Sequence, residues 1–160
     1  MATARTSTRQ HKEATAILRA DHKLVSDLFA QFEKAEGNDK KRRLVEQICM
    51  ELTVHAQIEE EIFYPAIKEV LHGGKKEEEL VPEATVEHQS LKQLIEDIEN
   101  TDIDDELYDA RVKVLSEYVK HHVKEEQNEI FPKVRESELD MVELGAQLMQ
   151  RKQELQKALQ

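Results

Sequence analysis

The chain has 160 residues, which is enough for one domain with one sizeable hydrophobic core. Charged residues make up 36% of it and aromatic residues only 4%, with four Gly and three Pro, a composition that favours long helices over sheets. The net charge of −11 argues against nucleic acid and anionic membrane surfaces as partners, and no apolar run approaches the roughly 20 residues of a membrane-spanning helix.

The chain opens with a Thr- and Arg-rich segment, residues 1–10, that lacks the apolar stretch of a secretory signal, and we expect a disordered tail there. A single cysteine, Cys49, rules out an intrachain disulfide and fits a reducing compartment. It lies three residues before Leu52 on a helical apolar stripe, so we expect a buried, inert thiol. Together these features predict a soluble, cytoplasmic protein.

Four stretches carry apolar residues at helical spacing, from about residues 11–36, 39–72, 76–99 and 102–135. Glycine-containing pairs end the first two stretches. The connections are short, and short connections make neighbouring helices antiparallel. The predicted fold is therefore all-α, an antiparallel up-down-up-down four-helix bundle over residues 11–135.

A further amphipathic segment, residues 136–160, has Leu144, Leu148 and Leu155 on its apolar side. We predict an additional C-terminal amphipathic helix there. It either covers part of the bundle or forms a dimer contact, so a monomer and a homodimer both remain open.

Each predicted bundle helix carries one histidine on its apolar stripe, which points that side chain inward. The four inward residues are His22, His55, His88 and His122. We expect the other three to be solvated at the surface, and these are His11, His72 and His121.

Two of the inward histidines are each followed by a glutamate four residues later. These pairs are His55 with Glu59 and His122 with Glu126. Residues at i and i+4 share one face of a helix, so both carboxylates also point inward. Burying unpaired carboxylates and imidazoles is costly. A pair of metal ions removes that cost, because carboxylates can bridge two ions while neutral imidazoles complete each coordination shell.

The His-x3-Glu spacing alone is weak evidence, because Glu is 25 of the 160 residues and His121–Glu125 has the same spacing. A gapless repeat is stronger evidence, since residues 55–65 align on residues 122–132 with the His, the Glu and an aromatic-Pro pair in register. The alignment selects His122 over His121. Each proline predicts a kink that would close that end of the bundle.

These residues resemble the hemerythrin-like, HHE cation-binding domain family over about residues 13–135. The matching elements are Leu-Arg-Ala-Asp-His ending at His22, the two His-x3-Glu units with their aromatic-Pro pairs, and Glu87-His88. The resemblance implies a di-iron site, two non-haem irons with an oxo or hydroxo bridge, in a four-helix bundle that supports oxygen binding. It carries over six metal ligands, which are His22, His55, Glu59, His88, His122 and Glu126.

Two departures from the family's oxygen carriers put plain oxygen carriage in doubt. Ala84 and Lys92 stand where the carriers have a second histidine on the third helix, and Glu126 follows its histidine by four residues instead of five. Of the roughly twelve positions around two octahedral ions, about two would stay open for O2, peroxide or NO. We expect a protein of sensing, scavenging or stress response. The alternatives are a di-iron enzyme that decomposes peroxide (catalase-like) or reduces NO, and an iron storage or sensing protein.

Iron fits this nitrogen- and oxygen-rich donor set better than manganese, a mixed pair or zinc, which stay open as alternatives. The chain lacks the His-Glu-x-x-His motif of zinc proteases and the Glu-x-x-His motif of ferritin-like bundles. No catalytic residue is assigned. Additional metal ligands or outer supports are expected among Glu87, Glu60, Asp21 and Tyr118.

Overall fold

The computed structural model describes residues 12–159, so the predictions of a disordered tail and a surface His11 lie outside the described residues. Seven α-helices and two π-helical turns make up the described part, which contains no strand. The helices are α1 (Ala14–Lys34), α2 (Asn38–Ile58), α3 (Tyr64–Lys68), α4 (Lys75–Glu99), α5 (Tyr108–Glu125), α6 (Phe131–Arg135) and α7 (Met141–Ala158). The π-helical turns are π1 (Glu59–Phe63), between α2 and α3, and π2 (Glu126–Ile130), between α5 and α6.

The predicted four-helix bundle with an additional C-terminal helix is confirmed. Helices α1, α2, α4 and α5 form the bundle, and two apolar cores fill it. One core contains Leu28, Ile48 and Leu115, and the other contains Phe63 and Phe131. On every bundle helix the inward histidine lies between the residues of these two cores, so the polar site occupies a layer inside an otherwise apolar bundle.

Where the sequence predicted a kink at each proline, the structure has a π-helical turn just before it. The Tyr64 N–H bonds to the carbonyl of Glu59, five residues earlier, and the Phe131 N–H bonds to that of Glu126. Each proline then sits in the first turn of the next helix, where its missing N–H leaves no bond unmade. These turns recur at the same place in both repeats, one residue after the predicted ligand helix ends.

The fourth bundle helix begins later than predicted, at Tyr108 instead of about Asp102. The carboxylate of Asp102 accepts a bond from the Asp104 N–H, and that of Asp105 accepts one from the Leu107 N–H. Short acidic side chains that bond the backbone two residues on stabilise turns at the expense of helix. The second stretch also ends early, since α3 stops at Lys68 instead of about residue 72.

Helix α7 lies against α1 and α2. Leu144 and Leu148 are buried, and a Cβ at Gly145 would collide with the carbonyl of Lys12, so a glycine permits the close approach. The helix thus covers part of the bundle, and a dimer contact stays a prediction. No helix within residues 12–159 is long and apolar enough to cross a lipid bilayer.

Candidate metal centre

The structure brings all six predicted ligands together in one buried layer. The most exposed of the six side chains belongs to a residue that is 8% exposed, and Glu59 is 0% exposed. They form two groups of three whose nearest donor atoms lie within 4.8 Å of one another. One group is His22, His55 and Glu126, and the other is Glu59, His88 and His122.

Each carboxylate spans both groups. Glu59 Oε1 lies 3.1 Å from His55 Nε2 and 3.2 Å from His88 Nε2. Glu126 Oε1 lies 3.2 Å from His22 Nε2, and its Oε2 lies 3.3 Å from His122 Nε2. Each carboxylate is therefore within reach of donor atoms from both groups.

The outer ring nitrogen of each histidine faces an acceptor. His55 Nδ1 donates to Asp21 Oδ2 at 2.9 Å, and His122 Nδ1 donates to Glu87 Oε1 at 3.1 Å. Asp21 directly precedes His22 on α1, and Glu87 directly precedes His88 on α4. Each carboxylate therefore comes from the helix next to the one whose histidine it contacts. Such a bond fixes the ring and leaves the Nε2 lone pair for an inner partner.

The other two histidines face acceptors across the bundle, His22 through a hydrogen bond and His88 through a longer contact that lacks hydrogen-bond geometry. His22 Nδ1 donates to Gln127 Oε1 at 2.9 Å, and Glu60 Oε2 lies 3.4 Å from His88 Nδ1. Glu87, Glu60 and Asp21 therefore all face outer nitrogens.

The inner atoms fit a metal pair. Within residues 12–159, no partner of hydrogen-bond geometry reaches Nε2 of His22 or His55, either oxygen of Glu59, or Oε1 of Glu126. Buried polar atoms without partners are rare, because each carries a desolvation cost. Four imidazole nitrogens and two carboxylates are a donor set that suits iron, manganese or zinc.

Without bound metal ions, the buried carboxylates raise the pKa of two inner histidines. Burial disfavours charge on His55, yet Glu59 and Asp21 beside it raise its pKa well above the usual value. Burial opposes charge on His122 too, and a bond to Glu126 helps to raise its pKa to about 10. Burial opposes charge on Glu126, but close contacts with the His122 and His22 imidazoles outweigh it and hold the pKa of this carboxyl well below its usual range. Metal binding at these nitrogens therefore displaces protons.

A cavity of about 20 Å³ adjoins the histidines on the side away from π1 and π2. That volume holds one water or a molecule of similar size. Its lining includes all four inward histidines, and its apolar walls are formed by Val25, Leu52, Leu91, Val119 and Val123.

Tyr64 is a site residue that the sequence interpretation missed. Its hydroxyl donates to Glu126 Oε2 at 2.8 Å and lies 3.3 Å from His88 Nε2. The π1 turn brings it there, because a bond spanning five residues stacks residue 64 over Glu59. The equivalent Phe131 stacks on the His22 ring, with centroids 5.9 Å apart. The indication in the sequence was the aromatic residue before each proline.

The remaining predicted positions lie outside the inner cluster. Tyr118 lines the cavity and is half-buried. His72 is exposed, as predicted. The His121 side chain is 64% exposed beside Glu125 whereas His122 is buried, so the alignment of the two repeats selected the correct inward histidine. Cys49 is buried, and burial raises the pKa of its thiol to about 12, as expected for an inert residue.

A four-helix bundle whose core joins four histidines and two glutamates defines a metal-binding bundle protein. Residues 13–134 match the family model of the Hemerythrin HHE cation binding domain, and the chain belongs to this family. The resemblance drawn from the sequence is thereby confirmed, and the protein carries a cation-binding domain.

The solved structures include a similar fold in a hemerythrin HHE cation binding domain-containing protein from Mycobacterium kansasii. The TM-score is 0.78, at 20% identity, over 92% of this chain and 89% of that one. A curated protein of Nostoc sp. (strain PCC 7120), named a DNA nickase, is 29% identical over 129 residues. That match takes in 81% of this chain and 35% of the relative, so the chain spans about a third of the relative's length.

Proposed function

We propose that the six buried residues hold two non-haem irons and that the protein binds or reacts with O2, peroxide or NO. The cavity of about 20 Å³ carries this proposal, because it touches all four imidazoles and excludes anything much larger than water. Iron, when bound, supplies the redox change and the open positions that such a ligand needs. Sensing, scavenging or stress response in the cytoplasm would use this chemistry.

The chain's own residues divide the work between orientation and water exclusion. Asp21 and Glu87 fix two imidazole rings from outside. The Tyr64 hydroxyl donates its proton to Glu126 Oε2 and so orients that carboxylate, and its oxygen lies 3.3 Å from His88 Nε2. The apolar cavity walls keep bulk water away from the inner nitrogens, which strengthens electrostatic interactions there.

Metal analysis followed by spectroscopy tests the proposal. We expect about two irons per chain in protein purified from iron-supplied cells, and visible absorption that changes on adding O2, peroxide or NO. Chelation should lower the melting temperature markedly, because the buried ligands depend on the ion. Protein that takes up no iron, or iron-loaded protein whose spectrum ignores all three molecules, would overturn it.

A peroxide-decomposing or NO-reducing enzyme is the second candidate. Ala84 is buried and Lys92 pairs with Glu60 at the surface, so neither residue adds a nitrogen to the inner cluster. An open coordination position of that kind could admit peroxide. Oxygen release well beyond one turnover per site would establish the enzyme, whereas stoichiometric bleaching would favour simple binding. Iron storage or sensing would instead respond to metal supply and not to the gases.

We infer that DNA is not a partner of this chain, although its Nostoc relative is named a DNA nickase. The shared region is 35% of that relative, and a chain of net charge −11 repels phosphates. We expect supercoiled plasmid to stay intact with the iron-loaded protein at low salt. Nicking that His55→Ala abolishes would overturn this inference.

A further inference from the structure

The two halves of α7 attach to the bundle by different means. The first half is anchored by the buried residues Leu144, Gly145 and Leu148. Beyond Leu148 no residue of this helix is buried. Residues 151–158, here called the distal half of α7, attach through the partly buried Leu155 and through polar contacts, and weakly buried segments open most readily.

One of those polar contacts leads directly to the candidate metal centre. Lys152 Nζ donates to Asp21 Oδ1, and the other oxygen of Asp21 accepts the bond from His55 Nδ1. The Lys152 side chain is 15% exposed and that of Asp21 is 5% exposed. A chain of three charged or polar groups thus runs from α7 to an inner histidine through a region shielded from solvent.

The neighbouring residue makes a second contact. Arg151 Nε donates to Glu61 Oε2 at 2.7 Å, and Nη2 donates to Glu61 Oε1 at 3.3 Å. Glu61 belongs to π1, two residues after the predicted ligand Glu59. The equivalent residue of π2 is Asn128, which forms no such link among the described residues. Two adjacent side chains of α7 therefore contact the part of the site built from α1, α2 and π1. Among the described residues, neither contacts the part built from α4, α5 and π2.

We propose that the distal half of α7 is a metal-responsive element, with Lys152 and Arg151 as positioning residues for His55 and π1. The inference rests on the proposed metal centre. If Lys152 favours the His55 orientation that binds metal, then bound metal must favour the docked helix by the same factor, because coupling between two equilibria is reciprocal. Metal occupancy is thereby transmitted to the surface of the protein at the distal half of α7.

Hydrogen exchange of the wild-type protein tests the coupling without any substitution. Peptides within residues 149–158 should exchange about tenfold faster after chelation than in the metal-loaded protein. Peptides within residues 91–99 of α4, in the core away from α7, serve as the internal reference. Equal metal dependence in both regions would indicate general loosening and would overturn the proposal.

Lys152→Met tests the positioning role, with Lys157→Met as the matched control because Lys157 is exposed and unpaired among the described residues. Lys152→Met should release metal to a chelator about tenfold faster, at the lower end of the effect of losing a direct partner of a ligand, because Lys152 acts through Asp21. Lys157→Met should release it at the wild-type rate, and Lys152→Arg should recover most of the loss.

A double-mutant cycle separates positioning from general destabilisation. Once Asp21→Asn has removed the carboxylate, Lys152→Met should have little further effect on metal release. Additive effects, or wild-type metal release in Lys152→Met, would overturn the proposal while leaving the metal centre intact. Wild-type protein that binds no metal would instead overturn the proposed function and this inference with it.

Discussion

In the α1–α2 hairpin, Asp21 directly precedes His22 and accepts a bond from His55 of the adjacent helix. In the α4–α5 hairpin, Glu87 directly precedes His88 and accepts a bond from His122. Each hairpin therefore supplies two histidines and a glutamate four residues after the second histidine. It also supplies the carboxylate that orients the second histidine. The half-site is a repeated structural unit.

The two hairpins also support each other. Glu60 and Gln127 occupy equivalent positions in π1 and π2, one residue after each predicted glutamate ligand. Glu60 faces His88 of the second hairpin, and Gln127 accepts a bond from His22 of the first. Because each hairpin completes the outer contacts of the other, neither is expected to form a rigid half-site alone.

The hairpins differ in what surrounds these shared positions. Asp21 is held by Lys152 of α7, whereas the Glu87 side chain is 18% exposed beside His121. Tyr64 carries a hydroxyl where Phe131 has none. The inner groups and the side chains that face their outer nitrogens thus recur in both hairpins, whereas the contacts beyond those side chains depend on what packs on each hairpin.

The largest predicted effect comes from removing an inner carboxylate. We expect Glu126→Ala, like His55→Ala, to leave a helical protein with less than half of the wild-type iron, because Glu126 spans both groups of ligands. Metal content by mass spectrometry and helix content by circular dichroism measure this.

Glu125→Ala is the matched control, since Glu125 follows His121 by four residues but lies outside the inner cluster. Its iron content should equal that of the wild type. Full iron in Glu126→Ala would remove that residue from the ligand set and break the equivalence of the two hairpins.

The inner cluster could be predicted from sequence because it depends on helix periodicity and on a repeat, both of which are local. The π turns could not, because a proline shows where a helix is irregular but not how its bonds rearrange. Tyr64 was missed for this reason: in a regular α-helix, residue 64 would point away from Glu59. The Asp21–Lys152 contact joins residues 131 positions apart, and nothing local distinguishes Lys152 from other lysines on the polar side of α7.

Removing the charge of Asp21 or of Glu87, the two carboxylates that orient His55 and His122, should have a smaller effect, and one that differs between the two. Asp21→Asn is expected to weaken metal binding about 10- to 100-fold, because the site is buried and water cannot replace the charge. Glu87→Gln should weaken it by less, since that carboxylate is partly solvated and a water molecule can take its place. Competition with a chromophoric chelator measures both affinities. Equal losses would show that exposure does not distinguish the two hairpins.

The smallest effect concerns the aromatic pair, and it tests whether the hydroxyl is specific to the first hairpin. Tyr64→Phe removes a hydrogen bond to a carboxylate and should lower the free energy of unfolding by about 1–2 kcal/mol. Phe131→Tyr places a hydroxyl where the side chain is 0% exposed and should cost about 1–3 kcal/mol for want of a partner. Urea denaturation of the metal-free proteins measures both values. If the double variant Tyr64→Phe/Phe131→Tyr were as stable as the wild type, the hydroxyl would serve either hairpin equally well, and the asymmetry would lie only in Asp21 and α7.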